Sequence, residues 1–207
     1  MIRVLEQILE HPTIYSQWQA PFVERKFAPV ERRIKHANIR RVLDVGCGPG
    51  TNARRFDAAA YVGIDINESY LAVARSKYSG RFIQADLATA DLSQLGVFDA
   101  VLVNSFLHHL PDPAVDRLLG QLVTLLEPRG RVHVLELVRP DRLSLPSIMA
   151  TLDRGRYART LRAWKTLFER HFDSVVIEPY TFGLGLWAMV YFQGMTKHAS
   201  LNRHSSL

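Results

Sequence analysis

Between residues 41 and 138 the chain alternates short β-rich runs with helical stretches, and this alternation limits its possible folds more than any other feature. Arg41–Val45, Tyr61–Asp65, Arg81–Ala85, Phe98–Val103 and Arg131–Val138 read as strands, several of them apolar at nearly every position. A strand with one wet face alternates apolar with polar residues. Continuous apolarity instead marks burial on both faces, as in a parallel sheet covered by helices. The intervening segments supply those helices. Glu68–Tyr78 carries Leu71, Ala74 and Tyr78 on one face, and Pro113–Leu126 carries Val115, Leu118, Leu119, Leu122, Leu125 and Leu126 at helical spacing. Pro128-Arg129-Gly130 then reads as a turn into the fifth strand. These are βαβ units, and the fold class is α/β.

The flanks differ from this core. Residues 1–38 read as short helices interrupted at Pro12, Pro21 and Pro29, with Tyr15, Trp18, Phe22 and Phe27 among them. Residues 139–171 read as an insertion followed by an amphipathic helix through Trp164, Leu167 and Phe168, and Val175–Ile177 and Trp187–Phe192 as two closing strands. A chain of 207 residues with 47% apolar and 22% charged residues has the composition of one ordinary globular domain. No stretch approaches the roughly 20 apolar residues of a membrane span, and no secretory leader is visible. The single cysteine, Cys47, fits a reducing compartment, so a cytoplasmic location is expected. Net charge is +6 and the surplus is arginine, with pairs at Arg32-Arg33, Arg40-Arg41 and Arg54-Arg55. No run of five like charges and no aromatic-interleaved basic motif appears. A solvated basic surface is therefore expected, not a nucleic-acid site.

The chemistry is concentrated in Leu43-Asp44-Val45-Gly46-Cys47-Gly48-Pro49-Gly50-Thr51. A strand ends beside an acid and is followed by glycines at every second position. Such glycines allow a sharp turn and let a ligand approach bare main chain. A pyrophosphate cradle would use G-x-G-x-x-G without an acid at its rim. Here the Asp44 carboxylate would repel phosphate and suit an ammonium group. Asp65, at the end of the second strand, is placed to accept from two ribose hydroxyls. Together the two acids describe a nucleoside joined to a cationic amino acid.

With these residues in place, the chain resembles the class I S-adenosylmethionine-dependent methyltransferases, and among them the small-molecule enzymes similar to those of ubiquinone and menaquinone biosynthesis. The resemblance covers residues 41–138. Asp44, Gly46, Gly48 and Gly50 match the glycine loop, Asp65 the ribose acid, and Asp86 in Gln84-Ala85-Asp86-Leu87 the acid facing the adenine amino group. Phe98–Asn104 through His108-His109-Leu110-Pro111-Asp112 matches the fourth-strand motif, and Leu126–Arg131 the turn before the fifth strand. The resemblance implies a Rossmann-like, seven-stranded, mostly parallel sheet with its last strand antiparallel. It implies one methyltransferase domain over 1–207: a helical cap at 1–38, a cofactor core at 39–138, an insertion and helix at 139–171 near the substrate, and C-terminal strands and tail at 172–207.

It also implies S-adenosyl-L-methionine as cofactor, held by Asp44, Gly46, Cys47, Gly48, Gly50, Asp65, Ile66, Asp86, Leu87 and Asn104, with S-adenosyl-L-homocysteine (SAH) as product. No metal is expected. The implied reaction is in-line methyl transfer to a small-molecule acceptor, and O-methylation is the form expected. An alcohol acceptor needs a base, for which His108 and His109 stand at the carboxyl edge of the fourth strand. Tyr15, Trp18 and Tyr157 are the candidates for contact with the acceptor. Arg154, Arg156, Arg159 and Arg162 form either a carboxylate-binding group or a solvated helix face. An RNA or protein acceptor and a non-catalytic S-adenosylmethionine-binding role are the alternatives. Oligomeric state is not legible.

Overall fold

A computed structural model describes residues 24–56, 60–142, 144–147, 156–183 and 185–196. Its sheet has seven strands: β1 (Arg41–Val45), β2 (Ala60–Asp65), β3 (Arg81–Gln84), β4 (Phe98–Asn104), β5 (Leu126–Leu137), β6 (Phe172–Phe182) and β7 (Trp187–Thr196). They lie in the order β3-β2-β1-β4-β5-β7-β6. β1 to β5 are mutually parallel, and β7 runs antiparallel to both β5 and β6. This is the Rossmann-like sheet the sequence implies. The order reverses between β1 and β4, and the crevice at the carboxyl ends of such a pair is where open α/β sheets bind ligands.

Helices cover both faces. α1 spans 24–34, α2 is Glu68–Lys77, α3 is Asp112–Thr124 and α4 is Leu161–His171. Leu43, Val45, Val101, Val103, Val132 and Val134 meet Val115, Leu118, Leu119 and Leu122 of α3 and Trp164 and Phe168 of α4 on one face. Val42, Tyr61, Phe82, Ala100, Leu102 and Leu135 meet Phe27 and Val30 of α1 and Leu71 and Ala74 of α2 on the other. The apolar continuity of the central strands is thus burial on both sides. The caps follow local chemistry. Asn67 accepts from the Ser69 and Tyr70 N–H groups at the start of α2, and Pro113 opens α3, where no N–H is missed.

One expectation changes. Leu126 already pairs with Phe98, so Glu127–Gly130 form a bulge inside β5 rather than a turn ahead of it. Phe27, one of the aromatics of the N-terminal segment, is fully buried under the Arg55 guanidinium, 4.4 Å from the ring centroid, and belongs to the core. Tyr15, Trp18 and Phe22 lie outside the described residues.

Candidate functional site

The loop after β1 is tied down at every amide that could otherwise wander. Gly46 and Cys47 both donate to the Ile64 carbonyl at 2.9 Å, and Gly48 donates to Asp65 Oδ2 at 2.8 Å. Gly46, Gly48 and Gly50 have φ of +73°, +53° and +75°, the left-handed region that other residues enter at a cost. Their surroundings differ in a telling way. A Cβ on Gly46 would lie 2.5 Å from the Phe106 ring, whereas one on Gly48 would meet nothing within 4 Å. The loop is packed from beneath and bare on top. The Cys47 side chain points down, against Gly63, and burial pushes its thiol well above the ordinary range. It fills the core and has no nucleophilic character.

Asp44 is fully buried on the face shared with Tyr61. Its Oδ2 accepts from the Tyr61 hydroxyl and, at 3.1 Å, from Asn52 Nδ2, while Oδ1 has no partner among the described residues. Burial raises this carboxyl to about 6, against the pull of the two hydrogen bonds and with some help from the Asp65 charge. Such a group, half satisfied in a low dielectric, is what a cation entering the crevice would relieve. Asp65 spends Oδ2 on Gly48 and Oδ1 on the Asn67 N–H at 2.9 Å. Next to it Ile66 is 60% exposed, an apolar side chain left uncovered at the sheet edge. Asp86 is exposed beyond β3 and accepts from the Ala88 N–H at 2.9 Å, and Leu87 is buried behind it.

At the end of β4, Asn104 leaves Oδ1 buried without a partner among the described residues, and Ser105 takes φ +52°. The turn that follows is held by Glu136, which the sequence reading overlooked, and by Arg159. Glu136 of β5, fully buried, accepts from the Phe106 and Leu107 N–H groups at 2.8 and 2.6 Å. Its second oxygen lies 2.7 Å from His108 Nδ1. Burial would raise Glu136, but His108 and the two amides outweigh it and hold the carboxyl low. Arg159 reaches the same turn from outside, donating to the carbonyls of Leu107, Leu110 and Tyr157 and to Asp112, with its guanidinium 4.7 Å from the Trp164 ring centroid. Arg159 is therefore a buried brace, not a ligand-facing arginine. Arg156 and Arg162 are exposed, and Arg154 lies outside the described residues. A signal was present in the sequence: Glu136 is a carboxylate inside an apolar strand, where an acid persists only if paired.

His108 is buried with Nδ1 committed to Glu136, whereas His109 is exposed and their ring centroids are 4.3 Å apart. Tyr157, 41% exposed, joins this corner by donating its N–H to the His108 carbonyl. Thus the glycine loop, Asp44, Asp65, Ile66, Asp86, Asn104, both histidines and Tyr157 gather along one edge of the sheet. Bare backbone, an unpartnered buried carboxylate oxygen and a strand-end acid fit an adenosyl group carrying an amino-acid tail.

Residues 42–130 match a family model described as a methyltransferase domain. This segment is a class I S-adenosylmethionine-dependent methyltransferase domain. The chain is 29% identical over 207 residues to trans-aconitate 2-methyltransferase of Escherichia coli O139:H28, covering 92% of this chain and 75% of that one. The protein of that name from Shigella flexneri is 28% identical over the same shares. Among solved structures it is similar to the plantazolicin methyltransferase BpumL in complex with SAH (TM-score 0.66, 17% identity, 89% and 88% of the two chains). It is equally similar to magnesium protoporphyrin IX methyltransferase from Synechocystis PCC 6803 with bound SAH (TM-score 0.66, 17% identity, 95% and 100%). The sheet and its helices are therefore a methyltransferase fold. Among the described residues no helix is long and apolar enough to cross a membrane.

Proposed function

We propose that the enzyme transfers the methyl group of S-adenosylmethionine to an oxygen of a small, acidic acceptor. The observation that carries the cofactor reading is the unpartnered, buried Asp44 Oδ1 beside the open top of Gly48. In this reading Asp44 accepts from the ammonium of the methionine part, and Asp65 takes the ribose hydroxyls with the lone pairs its amide bonds leave. Ile66 and Leu87 flank the adenine, Asp86 accepts from its amino group, and Asn104 meets the methionine portion. The loop glycines and Cys47 contribute backbone only. When bound, the cofactor supplies an electrophilic methyl on a sulfonium.

The protein's remaining task is to align the acceptor and exclude water, which is worth roughly 7–11 kcal/mol in favourable cases. An acidic acceptor is supported by the curated relatives, which are named for methylation of trans-aconitate. For an acceptor that keeps its proton, His109 is the base. It is exposed, while its neighbour His108 is buried and spends Nδ1 on Glu136, which makes His108 the positioning partner. Tyr157, which joins the same corner, contacts the acceptor in this reading. The test is SAH formation across a panel of small carboxylic acids and hydroxy compounds, with His109→Gln beside the native enzyme. Turnover of an acid supports the acceptor class, and turnover of a hydroxy compound reduced about 10²-fold or more in the variant supports the base. SAH release with none of the panel, or an unaffected variant, overturns the acceptor class or the base respectively.

A further inference from the structure

The amino-terminal edge of the sheet, opposite the cofactor crevice, holds a second concavity. It has a volume of about 690 Å³ and lies between the end of α1, the starts of β1 and β4, and the β5 bulge. Four arginines line it: Arg33, Arg40, Arg129 and Arg131. Two acids also do, Asp99 and Glu127, but Asp99 is already committed. It accepts from the Arg40 and Arg41 N–H groups at 2.9 and 2.8 Å and pairs with the Arg40 guanidinium at 3.5 Å. The inner wall is polar in an unusual way for a central strand. His133 of β5 and Gln193 of β7 are buried there, linked through the Tyr191 hydroxyl, which lies 2.9 Å from His133 Nδ1 and donates to Gln193 Oε1 at 3.3 Å. A concavity of this volume with a few convergent buried polar groups is the ordinary form of a small-molecule site.

We propose that this cavity binds a small organic anion carrying two or more negative charges, a phosphate ester or a polycarboxylate. Two of these arginines also act on His133. Burial lowers its imidazole to about 4, and the Arg131 and Arg33 charges push the same way. Arg33 is itself held by Glu178 at 2.5 Å and Arg131 folds over the Arg129 and Gly130 carbonyls, so these two guanidinium groups are placed before any ligand arrives. Arginine's planar fork suits doubly charged oxyanions. Asp99, at the cavity, and Asn104, at the cofactor edge, are five residues apart on β4, about 17 Å along the strand. An anion here cannot receive the methyl group, so the site is an effector or anchoring site distinct from the acceptor pocket.

Thermal unfolding with potassium pyrophosphate and, separately, citrate, each balanced with potassium chloride to constant ionic strength, tests this, with SAH as a control ligand. At a hundredfold excess over Kd one of the two anions should raise Tm by at least about 5 °C. Which one does so separates phosphate-ester from carboxylate recognition. Arg129→Gln, at an exposed side chain, should reduce that shift, and the Arg129→Gln/Arg131→Gln pair should abolish it while the SAH shift persists. Bound anion should also raise the His133 pKa in a proton NMR titration; the charged and titratable groups facing that ring are Arg33, Arg131 and Tyr191. No shift beyond the chloride control, an undiminished shift in the double variant, or stabilisation by a polynucleotide but by neither small anion overturns the proposal. Because the SAH control reports on the other edge, that result would leave the cofactor reading standing.

Discussion

Asp44→Asn should make the ligand-free enzyme more stable and its cofactor binding weaker. The carboxyl is held at about 6 against an ordinary value near 3.8. With its folded pKa raised, Asp44 favours the folded state fully only below about 3.8, and that contribution is lost as pH rises through 6. At neutral pH the ionised group therefore costs about 3 kcal/mol. Asparagine keeps the shape and an oxygen for Tyr61 and Asn52 but carries no charge, so the variant should gain about 1–3 kcal/mol at pH 8. For a chain of this length that is a rise in Tm of about 3–9 °C.

The assay is urea unfolding of both proteins at several pH values between 4 and 8, compared as a difference. His133, with a folded value of about 4 against 6.5, loses stability as pH falls through that range, but it does so in both proteins and cancels. The variant's margin should shrink below pH 6, as native Asp44 takes up its proton. SAH affinity in calorimetry should fall at least tenfold in the variant. A variant that is less stable at pH 8, or a margin that does not change with pH, would refute the reasoning that a buried, half-satisfied charge is kept there for a cation.

Related substitutions probe the same edge. Tyr61→Phe removes a donor that holds Asp44 down, so the pH at which SAH affinity halves should move upward from about 6; an unmoved pH profile argues against Tyr61 as the orienting group. Gly48→Ala has open space for its methyl but a φ of +53°, so it should cost about 1 kcal/mol of stability and lower cofactor affinity more than that, measured by unfolding and calorimetry. Asp65→Ala should weaken SAH binding by about 1.5–3 kcal/mol in a folded protein, and unchanged affinity would remove the ribose assignment.

The architecture was readable because its cause is local and repetitive: strands such as Val42–Val45 and Val101–Val103 are apolar without alternation, and only a sheet covered on both faces uses them. The last two strands were also visible, though shorter than found. The glycine loop was equally plain, since its spacing is a backbone requirement written directly in residue type. The partners of the acids were not legible. Tyr61 reads as one more apolar strand residue until the fold places its hydroxyl on Asp44. Arg159 sits among arginines that look like a solvated helix face, and only the long-range packing of α4 and the β4–α3 turn shows it buried. The difference is one of range: spacing reports the neighbours along the chain, whereas a buried charge is defined by elements some fifty residues away.

A crystal structure of the enzyme grown with SAH puts all of this to the most direct test. The account predicts the methionine ammonium within about 3.2 Å of Asp44 Oδ1 and both ribose hydroxyls on Asp65, with the chain of SAH lying over Gly48. SAH seated elsewhere, or an Asp44 Oδ1 still without a partner beneath a bound ligand, would contradict it.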